Sequence, residues 1–227
     1  MDAGSAASGL PLDAQAALGD VLLSHAHIDH VAGLCFLLDN TLGGRSDPLH
    51  LWCLSETSDV LENHLFNGHL WPKLTEGGFT GSPGLEIRRL SPGRAVRLAR
   101  MEVTAYPVNH AVPTAGFLLR GPGGSLLYTA DTGPTEAVWE AAEGLSDLRA
   151  IITETSFPNQ MEEVARRAGH MTPALLQAEL RKMPPEAPVY LYHAKPAHLK
   201  EILAQVKALG EPRVRWLEQG KTYDFGA

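Results

Sequence analysis

In the stretch LLSHAHIDHVAGL (22–34), three of the chain's ten histidines fall within six residues: His25, His27 and His30, with Asp29 among them. Imidazole and carboxylate are the ligands that zinc-type ions take, and a catalytic ion keeps one position open for water. His25 and His27 alternate as on an extended segment, so their rings can point the same way, while Asp29 and His30 curl back as a helix begins. One ion could hardly take all four from so short a turn, which predicts two ions side by side. Further ligands must then come from elsewhere. His110 follows the apolar run VTAYPVN, Asp131 follows LLYTA, and His193 follows VYLY. Asp131 can bridge two cations because a carboxylate has two oxygens. Glu154, after AIIT, is a further carboxylate at the same kind of place. Taken singly, a histidine is more often a surface or satisfied core residue. The shared position after strands, where rigid scaffolds present reactive groups, is what raises these above that reading.

The elements that must carry these residues alternate short β-like runs with helical patterns. DVLLSH (20–25) reads as a buried strand ending at the histidine turn, and HVAGLCFLLDNTL (30–42) has helical spacing. LHLWCLS (49–55) is a strand and SETSDVLENHLF (55–66) a helix opening on capping residues. EIRRL, AVRLA and MEVTAYPV give β-like segments between 86 and 108, and GFLLRGPGGSLLYTAD (116–131) is a hairpin pattern around a Gly/Pro turn. TEAVWEAAEG is helical, AIITET (150–155) a strand, and MTPALLQAELRKM (171–183) a helix with Pro173 near its start. PVYLYH (188–193) is a strand, AHLKEILAQVKAL (197–209) a helix and RVRWL a last short strand. Single strands between helices and strands in consecutive groups together predict a layered α/β architecture with mixed sheets. The first 20 residues are rich in Ala, Gly and Ser and carry no clear pattern.

The 227 residues are read as one domain over 1–227, long enough to bury a sizeable core. A net charge of −7 without a basic run argues against nucleic acid as a partner, so an anionic substrate would need a local positive feature such as a metal centre. Cys35 and Cys53 sit in apolar stretches and read as buried thiols of a reducing compartment. No run of 18 apolar residues predicts a membrane span, and the first residues lack the regions of a signal peptide. A cytoplasmic location is the expectation.

SHAHIDHVAGL resembles the metal-binding motif of the metallo-β-lactamase superfamily. Within it, NHLFNGHLWP (63–72), ETSFP (154–158), GHMTP (169–173) and YHAKP (192–196) resemble the class II cyclic-nucleotide phosphodiesterases. VNHAVPTAGF (108–117) and YTADTG (128–133) fit the same pattern, and the resemblance runs from Asp2 to about residue 217. It implies a four-layer αβ/βα sandwich with two divalent metal ions on one edge. One ion would take His25, His27 and His110, the other Asp29, His30 and His193, with Asp131 between them. Zinc comes first, and manganese and iron accept the same ligands. Asp2 would orient a ligand histidine from behind. Relatives carry further strands before the DAG segment, so the resemblance implies a fold lacking its first N-terminal strands, with an edge that a second copy could fill as a homodimer.

The resemblance further implies hydrolysis of 3′,5′-cyclic nucleotides, cyclic AMP or cyclic GMP, to 5′-monophosphates by a hydroxide held between the two ions. Asp29 would also orient that hydroxide. His170 would protonate the leaving 3′ oxygen, with Glu154 holding or charging it. On spacing alone the better reading is that His170 caps the following helix and Glu154 makes a structural contact; the family pattern reverses that. Asn67, His69 and Trp71 are candidate base contacts, against the duller reading of a loop anchored by Phe66 and Trp71, and Lys195 is a candidate phosphate contact. His50 and His198 read as surface residues. Two other readings stand beside this one: an RNA 3′-processing phosphodiesterase of the same fold, and a catalytically silent metal-binding module.

Overall fold

A computed structural model describes residues 1–76 and 84–225. The chain contains two compact units, Met1–Ser91 and Pro92–Ala227.

The first unit contains α1 (Ala6–Gly9), α2 (Leu12–Ala17), β1 (Asp20–Leu22), α3 (Ile28–Thr41), β2 (Leu49–Leu54), α4 (Ser55–Val60) and β3 (Leu85–Leu90). The strands form one parallel sheet in the order β1-β2-β3, with Leu51 opposite both Val21 and Ile87. Parallel neighbours need a crossover and cannot be joined by a hairpin, and α3 supplies the first one. Alternation in β2 buries Leu49, Leu51 and Cys53 completely, against Leu23 and against Leu34, Leu37 and Leu38 of α3. The other face carries His50 and Trp52, half-buried. There Trp52 Nε1 donates to Asp20 (2.7 Å), the Arg88 guanidinium lies 5.0 Å from the indole centroid, and His50 pairs with Asp20 and Glu86 at 3.4 Å each. His50 is thus part of a polar network on the sheet face.

Two boundaries differ from the sequence expectation. β1 stops at Leu22 although DVLLSH reads as a longer strand. Leu23 N–H still donates to Trp52 O (2.9 Å), but Ser24 N–H turns away to the Asp2 carboxylate (2.8 Å), which ends the ladder. α4 reaches only Val60 as an α-helix and continues as one π-helical turn over Leu61–Leu65.

The second unit contains β4 (Ala95–Leu98), β5 (Met101–Val108), β6 (Thr114–Gly121), β7 (Gly124–Tyr128), α5 (Ala137–Ala142), β8 (Leu148–Glu154), α6 (Glu162–Ala168), α7 (Pro173–Glu179), β9 (Val189–Tyr192), α8 (Leu199–Ala208) and β10 (Val214–Trp216). They build a seven-stranded mixed sheet in the order β10-β9-β8-β7-β6-β5-β4. It is antiparallel from β4 to β7 and parallel from β7 to β10. β6 and β7 are the expected hairpin, with Gly121 opposite Gly124. One sheet face packs Leu118, Leu127, Ile151, Val189 and Leu191 against Val138 and Trp139 of α5, Leu175 and Leu176 of α7, and Ile202 and Val206 of α8.

Thr172 caps α7 by accepting from Leu175 N–H (3.3 Å), with Pro173 in the first helical position. The helix ends at Glu179, short of the expected Met183: the N–H groups of Arg181 and Lys182 turn to carbonyls three residues back (3.4 and 2.9 Å), Pro184 and Pro185 have no N–H to continue the ladder, and Arg213 takes the Leu180 (2.5 Å) and Pro184 (2.7 Å) carbonyls left over. Glu179 is itself buried. It accepts from Trp139 Nε1 (2.7 Å) and Thr135 N–H (3.1 Å) and pairs with Lys182 (2.7 Å), so the loop after Asp131 is tied to α7. No helix among the described residues is long and apolar enough to cross a membrane.

Candidate metal centre

In the first unit the four motif residues sit on the loop from β1 to α3 and on the first turn of that helix. Asp2 organises them from behind. Its Oδ1 accepts Ser24 N–H (2.8 Å), and its Oδ2 accepts Ser24 Oγ–H (3.0 Å) and His30 Nδ1 (2.9 Å). The close approach of this segment depends on Gly33, where a Cβ would lie 2.3 Å from Ala3 O. Ala3 N–H donates to His30 O (2.8 Å) across that gap.

These bonds place the ring protons. A carboxylate only accepts, so His30 carries its proton on Nδ1 and keeps the lone pair on Nε2. Ser24 Oγ gives its one proton to Asp2 and therefore accepts from His25 Nδ1 (2.9 Å), which leaves the His25 lone pair on Nε2 as well. His25 Nε2 and His27 Nδ1 are 3.1 Å apart. Two nitrogens on one tetrahedral ion, each about 2.0–2.1 Å from it, would be about 3.3 Å apart, so the pair has the spacing of ligands. His25 is fully buried, and Asp29 is half-exposed with Oδ2 3.8 Å from His30 Nε2.

In the second unit, strand ends deliver the remaining candidates. His110, just beyond β5, donates from Nδ1 to Gly169 O (2.8 Å), so its Nε2 is again the lone-pair nitrogen. Gly169 has φ +67°, and a Cβ there would lie 2.5 Å from His110 Cα. Asp131 follows β7 through Ala130, at φ +55°, and is 1% exposed. His193 follows β9 directly at φ +66°, with Nε2 3.1 Å from Asp131 Oδ2 and 3.1 Å from Lys195 Nζ. An ammonium has only hydrogens to give, so His193 Nε2 accepts beside it. A lone pair and a carboxylate oxygen that face each other are what a cation between them resolves. The donor chemistry in both units therefore fits divalent metal.

His170 and Glu154 form a buried dyad, Nδ1 to Oε1 at 2.6 Å. Glu154 Oε1 also accepts Thr132 N–H (2.9 Å), while Oε2 accepts Ser156 Oγ–H (2.6 Å) and Met171 N–H (3.3 Å). Burial pushes the Glu154 carboxyl above its ordinary value, and the His170 and Ser156 hydrogen bonds pull the other way. His110, Asp131 and His170 offer ligand-type atoms within 4.8 Å of one another, so His170 faces the same space as the two candidate ligands.

The base-contact candidates lie on the loop after the π turn. Asn67 spends its polar atoms locally: Oδ1 accepts the N–H groups of His69 and Leu70 (2.9 Å each), and Nδ2 donates to Asn63 O (3.2 Å). Phe66 is buried, His69 is exposed, and Trp71 packs edge-on to Phe36 at 5.8 Å. Sequence reasoning missed the supporting groups. Ser24 stands behind His25, the Gly169 carbonyl behind His110, and the Tyr192 OH 3.4 Å from Asp131 Oδ1, while Thr132 and Ser156 hold Glu154.

A family model described as "Beta-lactamase superfamily domain" matches residues 5–194. A "Probable 3′,5′-cyclic-nucleotide phosphodiesterase" from Yersinia pestis is 28% identical over 92% of this chain and 68% of its own length. A "3′,5′-cyclic-nucleotide phosphodiesterase" from Aliivibrio fischeri is 29% identical over 70% of this chain, which spans about half (51%) of that relative. A "Ribonuclease Z" from Methanococcus aeolicus is 28% identical over 45% of this chain and 30% of its own length. Among solved structures, unliganded yeast PDE1 superposes with a TM-score of 0.76 at 22% identity, over 90% of this chain and 68% of that one.

Proposed function

This chain belongs to the metallo-β-lactamase superfamily, and on that premise we propose that it is a metal-dependent 3′,5′-cyclic-nucleotide phosphodiesterase. The observation that carries the reading is the His170–Glu154 dyad, set where His170 shares its space with His110 and Asp131. A hydrolase that only polarised a carbonyl would have less use for a charged acid beside its ligands than one that must expel an alkoxide. The names of the Yersinia and Aliivibrio relatives support the same substrate class.

His25, His27, Asp29 and His30 of the first unit and His110, Asp131 and His193 of the second would hold two divalent ions, zinc first, in the ligand sets the resemblance implies. When bound, such ions acidify water and polarise phosphoryl oxygens. The chain's own residues do the rest. Asp29, half-exposed at the head of α3, orients the attacking water and takes up its proton. Lys195 places an ammonium against the phosphate. His170, protonated and held by Glu154, gives its Nε2 proton to the 3′ oxygen as the phosphorus–O3′ bond breaks, and the product is the 5′-monophosphate. His69 and Trp71 serve the base, with the half-exposed Trp71 ring as the stacking surface, while Asn67, whose polar atoms are spent on His69, Leu70 and Asn63, shapes the loop that presents them.

The test is turnover of cyclic AMP, cyclic GMP and bis-(p-nitrophenyl) phosphate by protein stripped with chelator and then reloaded with zinc or manganese. Metal-dependent turnover of a cyclic nucleotide is the expected result. Turnover of the aryl diester without either cyclic nucleotide overturns the assignment. The ribonuclease Z match favours one second reading, RNA 3′ processing, and cleavage of a precursor tRNA in the same assay decides for it.

A further inference from the structure

Ser156 stands where the acid dyad meets the strand that delivers His193. It is fully buried. Its Oγ lies 2.6 Å from Glu154 Oε2, 3.1 Å from the His193 carbonyl oxygen and 3.4 Å from His170 Nδ1. Its backbone closes the same junction: Ser156 N–H donates to Met171 O (3.0 Å), and its carbonyl accepts Lys195 N–H (3.1 Å). A hydroxyl has one proton to give. The carboxylate at 2.6 Å takes the larger share and the His193 carbonyl the smaller, as a three-centre bond.

We infer that Ser156 is a positioning residue of the reaction: one hydroxyl fixes the Glu154 carboxylate against His170 and steadies the left-handed backbone at His193. The inference rests on the phosphodiesterase reading above. Its physical basis is the division of labour on Glu154. Oε1 serves His170 and Thr132, and Oε2 has Ser156 at 2.6 Å and Met171 N–H at 3.3 Å. Without the hydroxyl, Oε2 keeps only the long contact. The terminal torsion of a glutamate is broad, so the carboxylate then rotates and Oε1 leaves the line of His170 Nδ1. His170 Nε2, the end that meets the leaving oxygen, moves with it.

Two variants separate this role from simple packing. Ser156→Ala removes the hydroxyl, and Ser156→Cys keeps a side chain of similar shape but is a weak donor. The first readout is the NMR resonance of the His170 Nδ1 proton, identified by its loss in His170→Ala. It needs neither substrate nor metal. Both Ser156 variants should shift it upfield or broaden it. The second readout is a pair of substrates. Cyclic AMP must expel an alkoxide, whereas bis-(p-nitrophenyl) phosphate expels a phenolate that leaves without a proton. Both variants should lower kcat on cyclic AMP about ten- to hundredfold, with KM within about twofold, and slow the aryl diester far less. An unmoved His170 resonance, equal losses on both substrates, or full rescue by Ser156→Cys overturns the inference. If the wild-type protein does not turn over cyclic AMP, the phosphodiesterase reading falls instead, and the resonance alone decides for or against Ser156.

Discussion

Replacing Asp2 with asparagine should be more damaging than its near-identical shape suggests. Asp2 accepts hydrogen bonds from Ser24 N–H, Ser24 Oγ–H and His30 Nδ1. Asparagine can keep the first through its carbonyl, but its amide nitrogen then stands where Oδ2 stood and has only hydrogens to offer. His30 Nδ1 must become an acceptor, so the ring proton moves to Nε2, the nitrogen a metal would need. Ser24 Oγ loses its acceptor too, and the His25 tautomer set through it loosens. A hydrogen bond to a charged group is worth about 1.5–3 kcal/mol, and about 1.4 kcal/mol is tenfold in affinity, so Asp2→Asn should weaken metal binding about ten- to hundredfold. Competition with a chromogenic chelator measures the affinity, and nitrogen-15 shifts of the His30 ring report the tautomer. Asp2→Asn with unchanged affinity and the His30 proton still on Nδ1 would refute the argument.

Three further perturbations test the scaffold. Burial pushes the thiols of Cys35 and Cys53 up to about 11 and about 12 from 9.0. The unfolded chain therefore ionises first as pH rises, and stability should fall by about 1.4 kcal/mol per unit per thiol from pH 9 until the folded thiol ionises in turn, near 11 for Cys35 and near 12 for Cys53, a slope that Cys35→Ala/Cys53→Ala removes in urea titrations. Gly169→Ala forces a side chain into a left-handed backbone and against His110 Cα, so it should cost at least about 2 kcal/mol in urea unfolding; a loss below about 0.5 kcal/mol would mean that the turn is not tight. Glu179→Leu strands Trp139 Nε1, Thr135 N–H and Lys182, at about 3–5 kcal/mol, whereas Glu179→Gln, which can still accept, should cost clearly less by thermal melts.

The candidate ligands were legible in the sequence because imidazole and carboxylate groups at the ends of apolar runs are uncommon, and the histidine turn is dense enough to stand out. Their supports were not. The bond that sets the His110 tautomer goes to a backbone carbonyl 59 residues away, and every residue has a carbonyl. Ser24 and Ser156 look like any serine until a buried carboxylate is found beside them. β1 reads too long because Leu23 continues its apolar pattern and Ser24 is buried with it, while the Asp2 carboxylate takes the Ser24 N–H that would extend the ladder. α6, which precedes His170, escaped notice because it buries only Ala165. Its signature is electrical instead: Glu162 and Glu163 in the first turn, Arg166 and Arg167 in the last, and Gly169 left-handed beyond it. The strand order is legible only as a class, since mixed sheets of several orders share these runs.

Left-handed backbone at residues other than glycine occurs at Asp2, Ala99, Ala130 and His193 among the described residues. Three of the four are a candidate ligand, the neighbour of one, or the carboxylate behind one. Each such conformation costs about 1–2 kcal/mol, so the three together hold about 3–6 kcal/mol, against about 5–15 kcal/mol for the whole stability of a typical domain. A metal that binds only the folded chain repays part of that debt by mass action. The supply of metal in the cell would then govern how long each copy survives proteases as well as how fast it works.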